Sequence, residues 1–179
     1  MPNITLLPSI AAVAAAASAA LTNVVTPSGD VYRDDVQELS HHAIEQHALL
    51  AFNQIDADKD DNISQDEFTA SAIARQGLAH LNGFIPIETQ AGVQKIALPF
   101  DGREVRVERD HVAYGAQRQF ARFDSADGQL SEDEFKHIYR VRFSLADLDD
   151  DGVLAGVELT RFALAEVGAE TILANLQGF

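Results

Sequence analysis

Between Asp147 and Glu158 the chain reads DLDDDGVLAGVE, with carboxylates at Asp147, Asp149 and Asp151, glycine at Gly152, and Glu158 closing the stretch. Carboxylate and carbonyl oxygens are hard donors, suited to a hard divalent cation that takes roughly six to eight of them. A loop wrapped around such an ion turns alternate side chains inward, which matches the odd spacing of the three aspartates. Gly152 gives the backbone a left-handed conformation where the loop must turn sharply. Val153 offers its carbonyl, Ala155 leaves its place to water, and Glu158 can close the shell with both oxygens. Leu154 takes the loop's apolar position.

The pattern recurs upstream. Asp56–Glu67, DADKDDNISQDE, places Asp56, Asp58, Asp60, the Asn62 carbonyl, Ser64 and Glu67 at the same spacing, with Ile63 at the apolar position. Asp61 stands where the other loop has glycine. Asp tolerates the left-handed region better than most residues, so binding with some loss of affinity is expected. A third version, FDSADGQLSEDEF over 123–135, is one residue short. Read from its start, Asp124 takes the first ligand position; read back from Gly128, Leu130 and Glu134, Phe123 does. One oxygen donor therefore has no clear source, and Asp124, Asp127, the Gln129 carbonyl, Ser131 and Glu134 either hold an ion or form an empty structural loop.

These spaced carboxylates, glycines and apolar residues resemble the EF-hand calcium-binding family, over three segments amounting to about two-thirds of the chain. The resemblance implies a mainly α fold of helix–loop–helix units, Ca²⁺ as the ligand, and Phe52 and Phe68 in the core. Three hands are expected, over 34–82, 110–146 and 132–176. The last two share a helix: Glu134 and Asp147 are 13 residues apart, roughly 20 Å of helix. Their loops then lie too far apart to pair. Such sharing resembles the penta-EF-hand arrangement, though the match goes no further. The first loop must pair with the second or the third, leaving one hand odd.

The elements that position these loops are legible from periodicity. Val36, Leu39, Ala43, Ala48, Phe52 and Ile55 form one stripe of a helix over 34–55. Its His41, His42 and His47 lack metal-site spacing and are expected in solvent. Ser64 and Glu67 form a capping box that opens a helix to about Leu81, ended by Asn82-Gly83. Asp110 is expected to cap a helix through Phe123, Glu132 to Ala146 forms the shared helix, and a last helix runs from Gly156 to Leu176. The insertion at 84–109 departs from the family. Val93–Leu98 and Arg103–Val107 read as two strands about Asp101-Gly102, a small β-hairpin, serving either as a cover over the core or as a partner contact.

Residues 2–29 carry no charged side chain, and Ile4 to Leu21 is apolar and alanine-rich. A signal peptide cleaved near Ala17-Ser18-Ala19 is one reading, although no Lys or Arg stands near Met1. A packed helix and a weak membrane span are the others. Thr22 to Asp30 reads as a linker into a domain over 30–179. A signal peptide over residues 1–19 would make the protein secreted or periplasmic.

A net charge of −15 disfavours nucleic acid and anionic membrane surfaces as partners. It suits a protein whose cations neutralise clustered carboxylates. Cysteine is absent, which removes disulfides, thiolate metal sites and thiol nucleophiles. No phosphate loop, G-x-S-x-G or H-E-x-x-H occurs, so no enzyme is expected. With Met1 the single methionine, an adaptable Met-lined groove is disfavoured. The sequence thus predicts a Ca²⁺ buffer or Ca²⁺-stabilised scaffold. The alternative is a Ca²⁺-dependent interaction or regulatory subunit, joining a partner or a second copy through the unpaired hand.

Overall fold

The computed structural model describes residues 35–90, 92–99 and 108–168. The apolar segment 1–29, the strand expected at Arg103–Val107 with its Asp101-Gly102 turn, and Ile172 and Leu176 lie outside the described residues. Within them the protein is mainly helical, with small two-stranded antiparallel sheets.

Four three-residue strands each lead into a helix. β1 (Glu38–Ser40) precedes α1 (His41–Ile55), and β2 (Asn62–Ser64) precedes α2 (Gln65–Asn82). A hairpin of β3 (Phe84–Thr89) and β4 (Gly92–Ala97) intervenes before α3 (Arg109–Phe123). Then β5 (Gln129–Ser131) precedes α4 (Glu132–Ala146), and β6 (Val153–Ala155) precedes α5 (Val157–Glu166). Three of the four strands end in a serine that caps the following helix. Ser40 Oγ accepts the N–H of Ala43 at 3.3 Å, Ser64 that of Glu67 at 3.3 Å, and Ser131 that of Glu134 at 3.4 Å. Such a cap satisfies one of the amide donors that a helix start leaves without a partner. The fourth has Ala155 in the serine's place and starts α5 from Gly156 at φ 51°.

The strands pair β1 with β6 and β2 with β5, both antiparallel, with Leu39 opposite Leu154 and Ile63 opposite Leu130. All four side chains are buried. Pairs this short have no stability of their own; the helices they cap hold them in register. α1 runs from the β1/β6 bridge to the β2/β5 bridge and α4 runs the other way. Each has 15 residues, so the two bridges sit about 22 Å apart at opposite ends of an antiparallel helix pair. An aromatic core fills the space between: Phe52 meets Phe135 edge-on at 5.9 Å, Phe68 meets Phe120 at 5.9 Å, and Phe135 tilts against Tyr139 at 5.3 Å. The expected places of Phe52 and Phe68 in the core are found.

Several expectations need correcting. The stripe from Val36 to Ile55 is not one helix: Val36 and Leu39 are buried, but as extended chain, because Leu39 pairs with Leu154 and Ser40 caps the helix at His41. Asp110 lies inside the first turn of α3, whose N-cap is Glu108. The last helix stops at Glu166, and Gly168 takes a left-handed φ of 67°. The odd loop is not left unpaired, since β1 occupies the edge of β6 that was to receive a second copy. Strand β4 lies where Val93–Leu98 was expected, and among the described residues it pairs with β3, a strand the sequence did not announce. Ile85, Ile87 and Ile96 of this hairpin join the core, and β3 packs against α1. His47 is partly buried rather than solvated: its Nδ1 accepts the N–H of Glu88 at 3.1 Å, and its ring meets Tyr139 edge-on.

Candidate metal centres

Each acidic loop begins as the C-cap of a helix. The N–H groups of Asp56, Asp124 and Asp147 donate to the carbonyls of Phe52, Phe120 and Phe143, at 3.0, 2.9 and 2.9 Å. Each loop then passes through two left-handed residues: Lys59 and Asp61 (φ 62° and 63°), Ala126 and Gly128 (76° and 83°), Asp150 and Gly152 (57° and 80°). Asp61 therefore adopts the conformation that its glycine counterparts adopt. This is the strain a side chain bears there.

In the first loop Asp56 is buried, its Oδ1 accepting the N–H of Lys59 at 2.7 Å and its Oδ2 that of Asp61 at 3.2 Å. Asp60 Oδ1 accepts the N–H of Asn62 at 2.9 Å. Glu67 reaches back across the loop: Oε1 accepts the N–H of Ala57 at 2.9 Å, and Oε2 the N–H and hydroxyl of Ser64 at 2.9 and 2.8 Å. Ser64 is thus committed to the capping box of α2, donating its one proton to Glu67. Asp56, Asp58 and Asp60 each bring a carboxylate oxygen within 4.8 Å of the others. Desolvation, and then the charges of Asp60 and Glu67, raise the Asp58 carboxyl above its ordinary pKa. That repulsion is what a cation would relieve.

The third loop repeats this geometry. Asp147 Oδ2 accepts the N–H of Gly152 at 3.1 Å, and Asp151 Oδ1 that of Val153 at 2.8 Å. Glu158 is 8% exposed, and its Oε1 and Oε2 accept the N–H groups of Leu148 at 2.7 Å and Ala155 at 3.1 Å. These two amides, Leu148 first, hold its carboxyl below the usual range. Asp147, Asp149 and Asp151 again converge within 4.8 Å. Asp147 Oδ1 is buried with no hydrogen-bond partner among the described residues. Burying a carboxylate oxygen unpaired is costly, and the donor set around it is the oxygen-rich one that Ca²⁺ takes. The residues fit the ion.

The second loop is built differently. Asp124 Oδ1 accepts three N–H groups, from Ala126, Asp127 and Gly128 at 2.9, 3.1 and 3.2 Å. Asp127 Oδ1 accepts the N–H of Gln129 at 3.1 Å. Glu134 Oε1 accepts the N–H of Ser125 at 3.1 Å and the Ser125 hydroxyl; Oε2 accepts the N–H and hydroxyl of Ser131 at 2.9 and 2.7 Å. The Ser125 hydroxyl, then the Ser131 amide and hydroxyl, bring its pKa down to about 2. The loop's register is now plain. Asp124 is the C-cap like Asp56 and Asp147, and Ser125 sends its N–H to the closing glutamate as Ala57 and Leu148 do. One residue, not two, then separates Asp124 from left-handed Ala126, so the position filled by Asp58 and Asp149 is missing. Converging trios among the described residues occur in the first and third loops alone.

Sequence reasoning passed over two features. β1 reads ELS, like NIS at β2 and QLS at β5; the shared apolar-Ser pair was the available signal, but no carboxylate row drew attention to it. A buried ionic cluster also joins the helices midway between the bridges. The Glu166 carboxylate, 5% exposed, pairs with Arg142 and with Arg75 at 3.3 Å. Arg75 also donates to Tyr139 Oη at 2.9 Å, and Arg142 to Gln119 at 3.0 Å. Burial would raise Glu166, but the two guanidiniums outweigh it and hold the carboxyl low; burial, with Glu166 beside it, pushes the Tyr139 hydroxyl up to about 12. Heptad-free spacing gives such a cluster no sequence signature.

Compared with models of known protein families, with characterised proteins and with solved structures, the chain matches none.

Proposed function

We propose that this is a calcium-binding protein built from EF-hand-like units, with two ion sites and the role of a buffer or Ca²⁺-stabilised scaffold. Asp56, Asp58, Asp60, the Asn62 carbonyl and Glu67 would hold one ion; Asp147, Asp149, Asp151, the Val153 carbonyl and Glu158 would hold the other. Ser64 would add its hydroxyl oxygen, one lone pair of which its cap leaves open. The observation that carries the reading is Asp147 Oδ1, buried and without a partner among the described residues, within a converging carboxylate trio. Bound calcium supplies positive charge to groups that otherwise repel one another, and so stabilises the folded state by mass action.

The buried cluster favours scaffold over sensor. Arg75 on α2, Arg142 on α4 and Glu166 on α5 are tied together, and swinging those helices apart would strand charges in the core. One observation favours the interaction subunit instead: Leu145, Leu148 and Val157 stand exposed around the third loop, an apolar rim that a partner could cover. Among the described residues no helix is long and apolar enough to cross a membrane.

Calorimetric calcium titration tests the proposal. Wild type should bind two ions, and Glu67→Gln and Glu158→Gln one each. Absence of any calcium heat at millimolar ion would remove the reading. Dye binding to apolar surface, compared with and without calcium, separates the roles: no gain on loading supports the scaffold, a gain supports the subunit.

A further inference from the structure

A carboxylate offers about four lone-pair sites to donors or to a cation. At Glu158 two are taken, one on each oxygen, by the N–H groups of Leu148 and Ala155. At Glu67 three are taken, by Ala57 and by the amide and hydroxyl of Ser64. At Glu134 all four are taken, by the amides and hydroxyls of Ser125 and Ser131. What separates Glu134 from Glu67 is one hydroxyl, that of Ser125, where the other loops carry Ala57 and Leu148. The opening aspartates differ in the same direction. Asp124 Oδ1 holds three amides, while Asp147 Oδ1 is buried without a partner among the described residues.

We infer that the second loop is a metal-independent unit: the Ser125 hydroxyl occupies the glutamate oxygen that a cation would use, and the loop so locked holds β5 as a ready-made partner for β2. The consequence reaches the first ion site. Leu130 of β5 lies opposite Ile63, and the strand that Ile63 centres carries Asn62 and runs directly into the helix bearing Glu67. A β5 already fixed before any ion arrives spares the first loop part of the ordering that binding would otherwise require. Ser125 is thereby a positioning residue for a site it does not touch. The β1/β6 bridge follows the same plan. Its non-binding member has Ala43 where β2 and β5 are followed, three residues on, by Glu67 and Glu134, so each bridge joins one ion loop to one partner without an ion.

The effect on the first site rests on the calcium reading; the metal independence of the second loop does not. Hydrogen exchange of the full chain in chelator tests the latter. The Gly128 and Ser131 amides should be equally protected there and in calcium, whereas Gly152 and Ala155, though bonded to Asp147 and Glu158, should gain further protection on loading. Ser125→Ala should speed exchange at Gly128 and Ser131 by about tenfold or more, as loss of a hydrogen bond to a charged group implies, and Ser125→Thr, which keeps the hydroxyl, should restore it. Calcium titration in a Glu158→Gln background, where the first site is read alone, should show Ser125→Ala weakening binding by about threefold to tenfold. In a Glu67→Gln background the third site should not change. Protection of Gly128 and Ser131 that requires calcium, a third ion in wild type, or equal weakening of both sites would overturn the inference. Should wild type take up no calcium while the Ser125-dependent protection in chelator persists, the calcium reading falls and the metal-independent loop stands.

Discussion

Helix α4 has an acidic loop at each end, and the two differ in what satisfies their carboxylates. At its start, Glu134 and Asp124 are supplied by serine hydroxyls and backbone amides of their own loop. At its end, among the described residues, Glu158 has amides alone and Asp147 keeps one oxygen buried and unpaired. The backbones are nearly the same, down to two left-handed residues in each. A loop of this shape therefore does not by itself make an ion site. On the reading proposed above, what decides is whether the oxygens have spare lone pairs, and one deleted residue plus one serine would be enough to use them up.

The largest effect expected is the one that should not distinguish the two ends. Glu166→Ala strands Arg142 and Arg75 midway along the fold, and loss of one partner of a buried pair costs about 3–5 kcal/mol. Chemical denaturation should show that loss equally with and without calcium; a loss confined to the calcium-loaded protein would mean that the cluster belongs to the third loop only. Next comes Glu158→Gln. At free calcium about a hundred times the dissociation constant, ion linkage contributes about 2.7 kcal/mol, which this variant should lose in calcium and retain little of the difference in chelator. Glu134→Gln should lose no calcium-linked stability; if it does, the contrast between the loops is gone.

A smaller effect concerns the β1/β6 end. Ser40→Ala removes the N-cap of α1, worth about 1 kcal/mol, with faster exchange at the amides of β1 and β6 and little change at β2 and β5. The smallest is a pH effect. Glu134 has a folded pKa of about 2 against an ordinary value of 4.5, so its contribution to stability is fully present above the ordinary value. It is lost as pH falls from there through about 2. In chelator, wild type should lose melting temperature across that window more steeply than Glu134→Gln. Parallel curves would show that the Ser125 and Ser131 hydrogen bonds do not favour the ionised carboxylate.

Much of this was open to sequence reading. Helix α2 falls where Ser64 and Glu67 place it, α4 spans Glu132–Ala146 as expected, and the converging trios are those the spacing singled out. These features are local: a capping box or an ion loop is written within about a dozen consecutive residues. The register of the second loop was not legible, because a deletion leaves two alignments equally good until hydrogen bonds show which amide serves which carboxylate. Strand β3 went unread: Pro86 in FIPIET weakened the strand signal that an edge position tolerates.

By itself, then, the sequence determined the two loops with clustered carboxylates, the helices that flank them, and the aromatic residues that pack beneath. Only the tertiary structure decided that Leu39 lies against Leu154, that the first loop joins the second, and that Glu166 meets Arg75 and Arg142 in the core. The reason is separation along the chain. A local motif fixes its own geometry through neighbouring backbone, whereas a contact between distant residues depends on how every intervening helix packs.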